Sequence, residues 1–399
     1  MTALPIYMDH HATTPVHPEV LDAMLPFLRD DFGNASSTTH LYGKRASDAV
    51  EAARRRVADL FGATPSEIVF TSGATESDNL AIRGAARASR AKGDHVVTCA
   101  IEHEAVLETC HELEREGFRV TRLPVDRHGW VDPESVLRAL TPGTILVSIH
   151  AANNEIGTLE PIADIGRIAR ERGVLFHTDA AQAAGRIPLD VEAMNVDLLA
   201  MSAHKMYGPK GVGALYVRKR TPLEAQVQGG GQEKKRRSGT LNVPGIVGLG
   251  MAAEVARRDM TSEGARLTAL RDDLWRRISG SMEGVVMNGH PVARLPNNLN
   301  VTVKHAEGEA MLMALRDAAA LSTGSACASG AMRGSYVLRA LGVPEDDAHS
   351  ALRFGLGRSN TPEQIEMVAG RLQRAVARLR AMSPFHTGAE AGGGATRGV

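Results

Sequence analysis

The chain has 399 residues, of which 43% are hydrophobic and 23% are charged, an ordinary globular composition. Lysine and arginine together number 46, as do aspartate and glutamate, so the formal net charge is zero. This balance gives no electrostatic basis for direct binding to nucleic acid or to an anionic membrane surface.

The first fifteen residues, MTALPIYMDHHATTP, contain neither a basic start nor an apolar core, so we expect no secretory signal. No apolar stretch is long enough to cross a bilayer. The three cysteines, Cys99, Cys110 and Cys327, are widely spaced and odd in number, which argues against a disulfide framework. We therefore expect a cytoplasmic protein in which Cys99 and Cys110 are structural.

Strand-like and helix-like segments alternate between about residues 65 and 220. Short β-branched runs separated by amphipathic segments predict an α/β fold, with a mostly parallel sheet covered by helices on both faces. The strand-like runs are, in chain order, EIVFT, HVVTCA, TILVSI, VLFHT and DLLAMS. Ligands of such sheets bind beyond the carboxyl ends of the strands, so the residues after each run are the functional candidates.

From VPGIVGLGMAAEVARR onward, a long helical pattern leads into a second region with looser alternation, typical of a smaller α+β domain. We expect a large domain over residues 16–257 and a small domain formed by 1–15 with 258–383. Residues 384–399 are rich in glycine and alanine, which predicts a disordered tail.

A turn of small residues, Ser72 to Ala74, follows the first strand-like run, and Thr75 stands where a helix should begin. The free amides of a helix N-terminus, together with a hydroxyl group, can bind a phosphate. A simple helix cap explains the same residues, and no Walker sequence is present.

Polar residues also follow the next three strand-like runs: His103, then Asn153 and Asn154, then Asp179 and Gln182. Each alone suits a cap or a turn. A carboxylate buried at a strand end, however, needs a cationic partner, and none is adjacent to Asp179 in the sequence.

Lys205 follows Ser202 and His204 at the end of DLLAMS. A phosphate cradle, an aspartate, a strand-end lysine and a flanking histidine together are what a pyridoxal phosphate site requires. Lysine forms a Schiff base with the cofactor's aldehyde, a carboxylate keeps the pyridine nitrogen protonated, and an imidazole stacks on the ring and moves protons. A metal site built from Cys110 and His111 finds no convincing ligand set.

Cys327 lies in the stretch LSTGSACASG, with only small residues around it. A cysteine meant for packing usually lies among apolar side chains. This composition predicts a pliable segment on which the thiol can move.

These motifs closely resemble those of the cysteine desulfurases of the NifS/IscS type, within the class V aminotransferase group. The match runs from YMDHHATTP to RLRAMSP. It includes, in order, FTSGATESDNLA, EHEAVL, NNEIG, HTDAAQ, SAHKMYGPKGVGALYV, RSGT, GSAC and ALRFGLGR. The resemblance implies the fold-type I architecture of pyridoxal-phosphate-dependent transferases.

The resemblance also implies roles for the residues around the cofactor ring. Lys205 would hold the cofactor, Asp179 would pair with the pyridinium nitrogen, and His103 would stack on the ring and serve in acid–base steps. Asn154 and Gln182 would lie near the phenolic oxygen of the ring.

Further residues would bind the phosphate and the substrate. Arg353 would clamp the substrate carboxylate with its bidentate fork, beside Asn154. Thr240 would reach the phosphate from the other subunit of a homodimer. The phosphate ligands implied for one chain are Ala74, Thr75, Ser202 and His204.

Cys327 would then attack the sulfur of L-cysteine as a thiolate and carry it as a persulfide, with L-alanine released. The sulfur would pass to an acceptor protein, such as an iron–sulfur scaffold or a sulfur carrier. A selenocysteine lyase or another class V enzyme remains an alternative, although GSAC argues against an aminotransferase. A non-catalytic binding protein is a further alternative, against which the intact set of Lys205, Asp179, His103 and Cys327 argues.

Three features depart from the family pattern. The family commonly has a proline after FGN, where Ala35 follows Asn34 here, and His10 and His11 stand where the family has tyrosine, asparagine or serine. We expect both departures to affect N-terminal packing or the wall of the site. The tail FHTGAEAGGGATRGV differs from the aromatic segment with which housekeeping members dock a scaffold, so the resemblance leaves docking by that route open.

Overall fold

The computed structural model describes residues 4–323 and 334–382. Cys327 and the tail 384–399 lie outside these residues, so the mobile cysteine and the disordered tail stay predictions.

The strands belong to three sheets, which hold seven, three and two strands among the described residues. In chain order they are β1 (Ile6–Tyr7), β2 (Ile68–Thr71), β3 (His95–Cys99), β4 (Arg119–Leu123), β5 (Thr144–Ser148), β6 (Leu175–Asp179), β7 (Leu198–Ser202), β8 (Gly213–Val217), β9 (Val285–Asn288), β10 (Asn298–Val303), β11 (Ala319–Ala320) and β12 (Ala351–Gly355).

The helices cover these sheets. In chain order they are α1 (Pro18–Arg29), α2 (Leu41–Leu60), α3 (Ala74–Ala88), α4 (Glu104–Arg115), α5 (Pro133–Ala139), α6 (Ile162–Glu171), α7 (Val243–Ser281), α8 (Gly308–Leu315), α9 (Tyr336–Ala340), α10 (Glu345–Ala348) and α11 (Pro362–Met382).

The large sheet has the order β2-β8-β7-β6-β5-β3-β4, and β8 alone among its strands runs antiparallel to its neighbours. The prediction of a mostly parallel sheet is therefore confirmed. Val96 and Val97 of β3 point into core clusters on opposite faces, as strand alternation requires. Helices α3 and α4 cover one face, and α2, α6 and α7 cover the other.

Strand β4 is an element that the sequence did not predict. It forms the edge of the large sheet, where most of its residues are at least partly exposed. Its sequence, RVTRL, places Arg119 and Arg122 within the strand. Charged residues are common on edge strands because they discourage pairing with a further strand. They also interrupt the apolar run by which a strand is recognised in the sequence.

A second core lies around the antiparallel sheet β12-β10-β9, with apolar residues from α8, α11 and the second half of α7. Met8 joins this core from the N-terminal segment. The division into two domains stays a proposal, and its boundary at 257/258 falls inside α7, whose 39 residues contribute to both cores. Among the described residues, no helix is long and apolar enough to cross a membrane.

Gly213 separates two strand ends that carry site residues. It opens β8 and pairs with Thr71 of β2 on one side and Ser202 of β7 on the other. A Cβ atom at Gly213 would lie 2.5 Å from the Met201 carbonyl oxygen and 2.7 Å from Gly73 Cα. Only glycine fits here without a backbone shift.

We therefore expect Gly213→Ala to lower the free energy of unfolding by about 1–3 kcal/mol, as overpacking does elsewhere. Urea denaturation of the two proteins measures this change. The matched control is Gly264→Ala in α7, where an added Cβ meets nothing within 4 Å. Helix propensity predicts a gain of about 0.5–1 kcal/mol for the control. A Gly213→Ala protein as stable as the wild type would contradict the packing argument.

Candidate active site

A cavity of about 390 Å³ opens at the carboxyl edge of the large sheet. It brings together residues that follow five different strands, as the strand-end rule predicted. The predicted site residues that line it are Ala74, Thr75, His103, Asn154, Asp179, Gln182, Ser202, His204 and Lys205.

Three predicted site residues are not part of this lining. Cys327 lies outside the described residues. Thr240 is exposed elsewhere on the chain, and Arg353 is 5% exposed. The Nη atoms of Arg353 donate to Asp9 Oδ1 at 2.9 Å and to the Asn154 carbonyl at 3.0 Å, while its Nε is buried without a hydrogen bond.

One end of the cavity is formed by the start of α3, after the N-cap Gly73. The first amides of a helix have no partner within the helix and attract anions. The Glu76 carboxylate accepts hydrogen bonds of 2.8 Å from the Ser72 amide and from Arg237 Nε. Burial raises the pKa of Glu76, but these hydrogen bonds outweigh it and leave the pKa below its ordinary value. Glu76 thereby ties the RSGT motif to this turn.

Lys205 lies on a short 3-10 turn, Ala203–Lys205, that directly follows β7. Its Nζ donates to the His11 carbonyl at 2.5 Å and to the Ala12 carbonyl at 3.0 Å. The same N-terminal segment binds the turn again, because the Thr14 amide donates to the His204 carbonyl at 2.9 Å. The N-terminal segment therefore forms a wall of the site beside the strand-end lysine.

His204, on the same turn as Lys205, is a neutral imidazole that lines the cavity. Burial, together with the charges of Lys205 and Lys210, lowers its pKa to about 4. Its Nδ1 lies 3.1 Å from Thr13 Oγ1. At neutral pH the ring can therefore accept or donate a hydrogen bond but carries no charge.

Asp179 ends β6 and is 8% exposed. Its Oδ1 accepts a hydrogen bond of 2.8 Å from the Ala181 amide, which orients the carboxylate. Gln182 lies on the same turn, and its side-chain amide contacts His11.

His103 is the N-cap of α4, and its Nδ1 accepts a hydrogen bond of 3.1 Å from the Ala105 amide. The neutral ring therefore carries its proton on Nε2. Nε2 is therefore the ring nitrogen that is not used by this cap.

A buried ion network lies beside His103. Glu102 Oε1 accepts hydrogen bonds from the His150 amide at 2.7 Å and from Cys99 Sγ at 3.3 Å. Glu102 Oε2 lies 3.2 Å from His150 Nδ1, and Glu160 Oε1 lies 3.6 Å from His150 Nε2. All three charged side chains are at most 7% exposed. Burial disfavours a charged imidazole, but the two carboxylates raise the pKa of His150 to about 10, so the ring is charged at neutral pH.

The sequence interpretation missed His150 and Lys210, and it missed the pairing of His11 with Gln182. His150 and Lys210 line the cavity, and His150 is the second residue after β5, so the strand-end rule could have found it. Lys210 lies in the motif GPKGVG, whose spacing rules out a Walker sequence and gives no other sign of a site. The expectation for His11 is an effect on packing or on the wall of the site, and no pattern in the sequence pairs it with Gln182.

Replacing His150 with alanine leaves two buried carboxylates without their cation, so we expect the free energy of unfolding to fall by roughly 3–5 kcal/mol. Because the pKa of His150 rises from about 6.5 unfolded to about 10 folded, its contribution is complete below pH ~6.5 and disappears as the pH rises towards ~10. Urea denaturation from pH 6 to pH 10 should show this pH dependence in the wild type and not in His150→Ala.

The matched control is His111→Ala, since His111 forms an exposed ion pair with Glu114 at 3.3 Å. It should change stability by less than about 0.5 kcal/mol. Equal effects of the two substitutions would refute the buried network as a source of stability.

The donor set of the cavity fits pyridoxal phosphate. The start of α3, Ser202 and His204 offer donors to a phosphate, and Asp179 offers a carboxylate to a pyridinium nitrogen. Lys205 supplies the amine, and His103 an imidazole. These side chains would hold the cofactor, whose ring would supply electron-accepting chemistry.

Comparisons with known proteins agree with this fit. The family model "Aminotransferase class-V" matches residues 6–368. The cysteine desulfurase IscS of Anaeromyxobacter dehalogenans (strain 2CP-C) is 57% identical over 385 residues, which cover 96% of this chain and 95% of that protein.

Solved structures are also similar. A "NIFS-LIKE PROTEIN" has a TM-score of 0.88 and 37% identity, covering 94% of this chain and all of that one. The structure "SspA in complex with cysteine" has a TM-score of 0.79 and 40% identity, covering 88% and 98%. The chain therefore belongs to the class V aminotransferase family, and within it to the pyridoxal-phosphate-dependent cysteine desulfurases of the NifS/IscS type.

Proposed function

We propose that this protein is a cysteine desulfurase, which takes sulfur from L-cysteine, releases L-alanine and holds the sulfur as a persulfide on Cys327. The observation that carries the proposal is the convergence of Lys205, Asp179 and His103 in one cavity. Relatives that bear the name cysteine desulfurase, and a similar structure with cysteine bound, support it.

The residues of the cavity have separate roles in the proposed reaction. Pyridoxal phosphate, when bound, supplies a ring that takes up the electron pair released at the substrate's α-carbon. Asp179 would hold the ring nitrogen in its protonated form, and Lys205 and His103 would move protons, His103 through Nε2. The start of α3, with Ala74 and Thr75, would hold the phosphate.

Arg353 is our proposed clamp for the substrate carboxylate. Its guanidinium is held from both sides, by Asp9 and by the Asn154 carbonyl, which fixes the plane of the fork. These two contacts use one N–H of each Nη, so the second N–H of each Nη and the Nε–H are left as donors for a ligand. Asn154, which lines the cavity, thus links the clamp to the cofactor site.

Sulfur transfer follows from the chemistry of a thiolate. The sulfur of Cys327 attacks the sulfur of the substrate, so an S–S bond forms as the substrate's C–S bond breaks. The carbon takes up a proton and leaves as L-alanine. A second thiol, on a sulfur-carrier protein or an iron–sulfur scaffold, then accepts the outer sulfur. We place this chemistry in the cytoplasm, because thiols stay reduced there.

The test is an anaerobic assay of the cofactor-loaded protein with L-cysteine and a reducing thiol, in which alanine and sulfide are both quantified. We expect equal yields in the wild type and loss of both by at least about 100-fold in Cys327→Ser and in Lys205→Ala, which lack the nucleophile and the amine, respectively. Lys205→Ala should also lose the visible absorption that its bond to the cofactor creates.

The matched control is Cys110→Ala, because burial raises the pKa of the Cys110 thiol to about 12 and keeps it from acting as a thiolate. This variant should keep its activity. Pyruvate in place of alanine, or full activity in Cys327→Ser, would refute the proposed reaction. Turnover of selenocysteine alone would favour the selenocysteine lyase alternative.

We also propose that two copies of the chain form a homodimer. Helix α1 exposes Leu21, Leu25 and Leu28, at 47%, 48% and 59%, on one face. Phe32 and Tyr42 stack beside it, 5.5 Å between ring centroids. Water-exposed leucines at helical spacing with adjacent aromatic rings are typical of a subunit interface. In such a dimer, the exposed Thr240 of each chain would reach the phosphate in the other.

Light scattering should therefore report twice the chain mass for the wild type and the single mass for the double variant Leu25→Lys, Leu28→Lys. The monomer should lose pyridoxal phosphate on dialysis, because it lacks the partner's threonine. The control is Val292→Lys, because Val292 is 82% exposed and is distant in sequence from α1. A wild-type monomer that keeps a full complement of cofactor would contradict the proposal.

A further inference from the structure

His11 contacts the side-chain amide of Gln182 at two points. Its ring Nδ1 lies 2.9 Å from Gln182 Oε1, and its backbone carbonyl accepts a hydrogen bond of 3.1 Å from Gln182 Nε2. Both ends of the amide are thus engaged by one residue, which is 2% exposed.

The other ring nitrogen of His11 fixes its tautomer. Asn298 Nδ2 lies 3.2 Å from His11 Nε2 and also donates to the Glu155 carbonyl at 3.1 Å. A nitrogen that donates to a carbonyl belongs to the NH₂ group, so His11 Nε2 must accept from it. A neutral imidazole whose Nε2 accepts carries its proton on Nδ1, and this proton is donated to Gln182 Oε1.

The surroundings keep the ring neutral. Burial, followed by the positive charge of Arg353, places the pKa of His11 well below its ordinary value. Arg186 and Lys205 add to this effect, and the hydrogen bond with Gln182 opposes it in part.

The reversed orientation of the Gln182 amide is therefore excluded. Its NH₂ group would then face the Nδ1–H of His11, and its oxygen would face the His11 carbonyl oxygen. Two favourable hydrogen bonds would become two repulsive contacts in a buried place. In the observed orientation, one N–H of Gln182 Nε2 is left over, and Gln182 lines the cavity.

We infer that His11 is a positioning residue that holds Gln182 so that its amide N–H, rather than its carbonyl oxygen, is offered to the phenolic oxygen of the bound cofactor. This inference rests on the proposed function, which places Gln182 beside that oxygen. His11 acts through Gln182 and needs no contact with the cofactor.

A donor at the phenolic oxygen stabilises the negative charge of that oxygen. The oxygen then attracts less strongly the proton on the neighbouring nitrogen, which joins Lys205 to the cofactor. Loss of the donor should therefore raise the pH at which the visible absorption of the bound cofactor titrates. For one hydrogen bond to a charged group, we expect a rise of about one pH unit.

The experiment titrates the visible absorption of the holoenzyme in six proteins: wild type, His11→Ala, His11→Asn, Gln182→Ala, the double variant His11→Ala, Gln182→Ala, and the control His111→Ala. We expect the midpoint to rise in His11→Ala and in Gln182→Ala, and the double variant to match Gln182→Ala alone. His11→Asn should restore much of the wild-type midpoint, because its amide NH₂ can take the place of Nδ1–H. His111→Ala, an exposed histidine, is the control and should titrate like the wild type.

A second measurement reads the tautomer directly and does not depend on the cofactor's colour. Histidine-selective ¹⁵N spectra are recorded for the wild-type holoenzyme and for His11→Asn. The signal that is present in the wild type and absent from the variant belongs to His11, and it should report a neutral ring with its proton on Nδ1. A proton on Nε2, or a charged ring at neutral pH, would overturn the inference.

Additive midpoint shifts, or an unchanged midpoint in His11→Ala or Gln182→Ala, would also overturn it. Such a result would leave the formation of alanine from cysteine, and hence the proposed function, untouched. Conversely, a protein that shows the expected tautomer and non-additive shifts without turning over cysteine would refute the proposed function and leave the role of His11 standing.

Discussion

The geometry of the site depends on one constraint, which is that the carboxyl ends of parallel strands lie along the same edge of a sheet. Residues that are more than 130 positions apart, such as Ala74 and Lys205, meet at that edge because β2 and β7 run in the same direction. The single antiparallel strand between them, β8, begins at this edge with a glycine. Gly213, which has no side chain, therefore lies between the end of β2, where we propose that the phosphate binds, and the end of β7, which leads to Lys205.

A second constraint is the handling of buried charge. Carboxylates near a cofactor are costly unless a cation or several donors face them. Glu102 and Glu160 share the charged ring of His150, and this network joins the end of β3 to the end of β5. It thereby fixes the start of the segment that carries His103. The same side chains that balance the charge also hold His103, the proposed acid–base residue, at a set place on the cavity wall.

Features that arise from local sequence pattern could be predicted. Buried strands are continuous apolar runs, and the polar residues after them could be assigned to one edge, so nine proposed site residues were brought together as expected. Features that depend on distant parts of the chain were missed. The arginines of the edge strand β4 hide its pattern, and the pairing of His11 with Gln182 joins residues 171 positions apart. The contact of Arg353 with Asp9 joins residues near opposite ends of the chain, and no local pattern in the sequence indicates it.

The short pairing of β1 with β11 has a consequence for the order in which the protein is made. Ile6 and Tyr7 pair with Ala319 and Ala320, and the Asp9–Thr14 stretch that follows β1 surrounds Lys205. At ribosomal rates of about 5–20 residues per second, this stretch waits roughly 15–60 s for its partner strand to be synthesised. A nascent chain in which the large sheet has already formed still lacks the strand that pairs with the outer end of this wall. The anchoring of β1 is therefore a late event in biosynthesis, delayed until about four-fifths of the chain has left the ribosome.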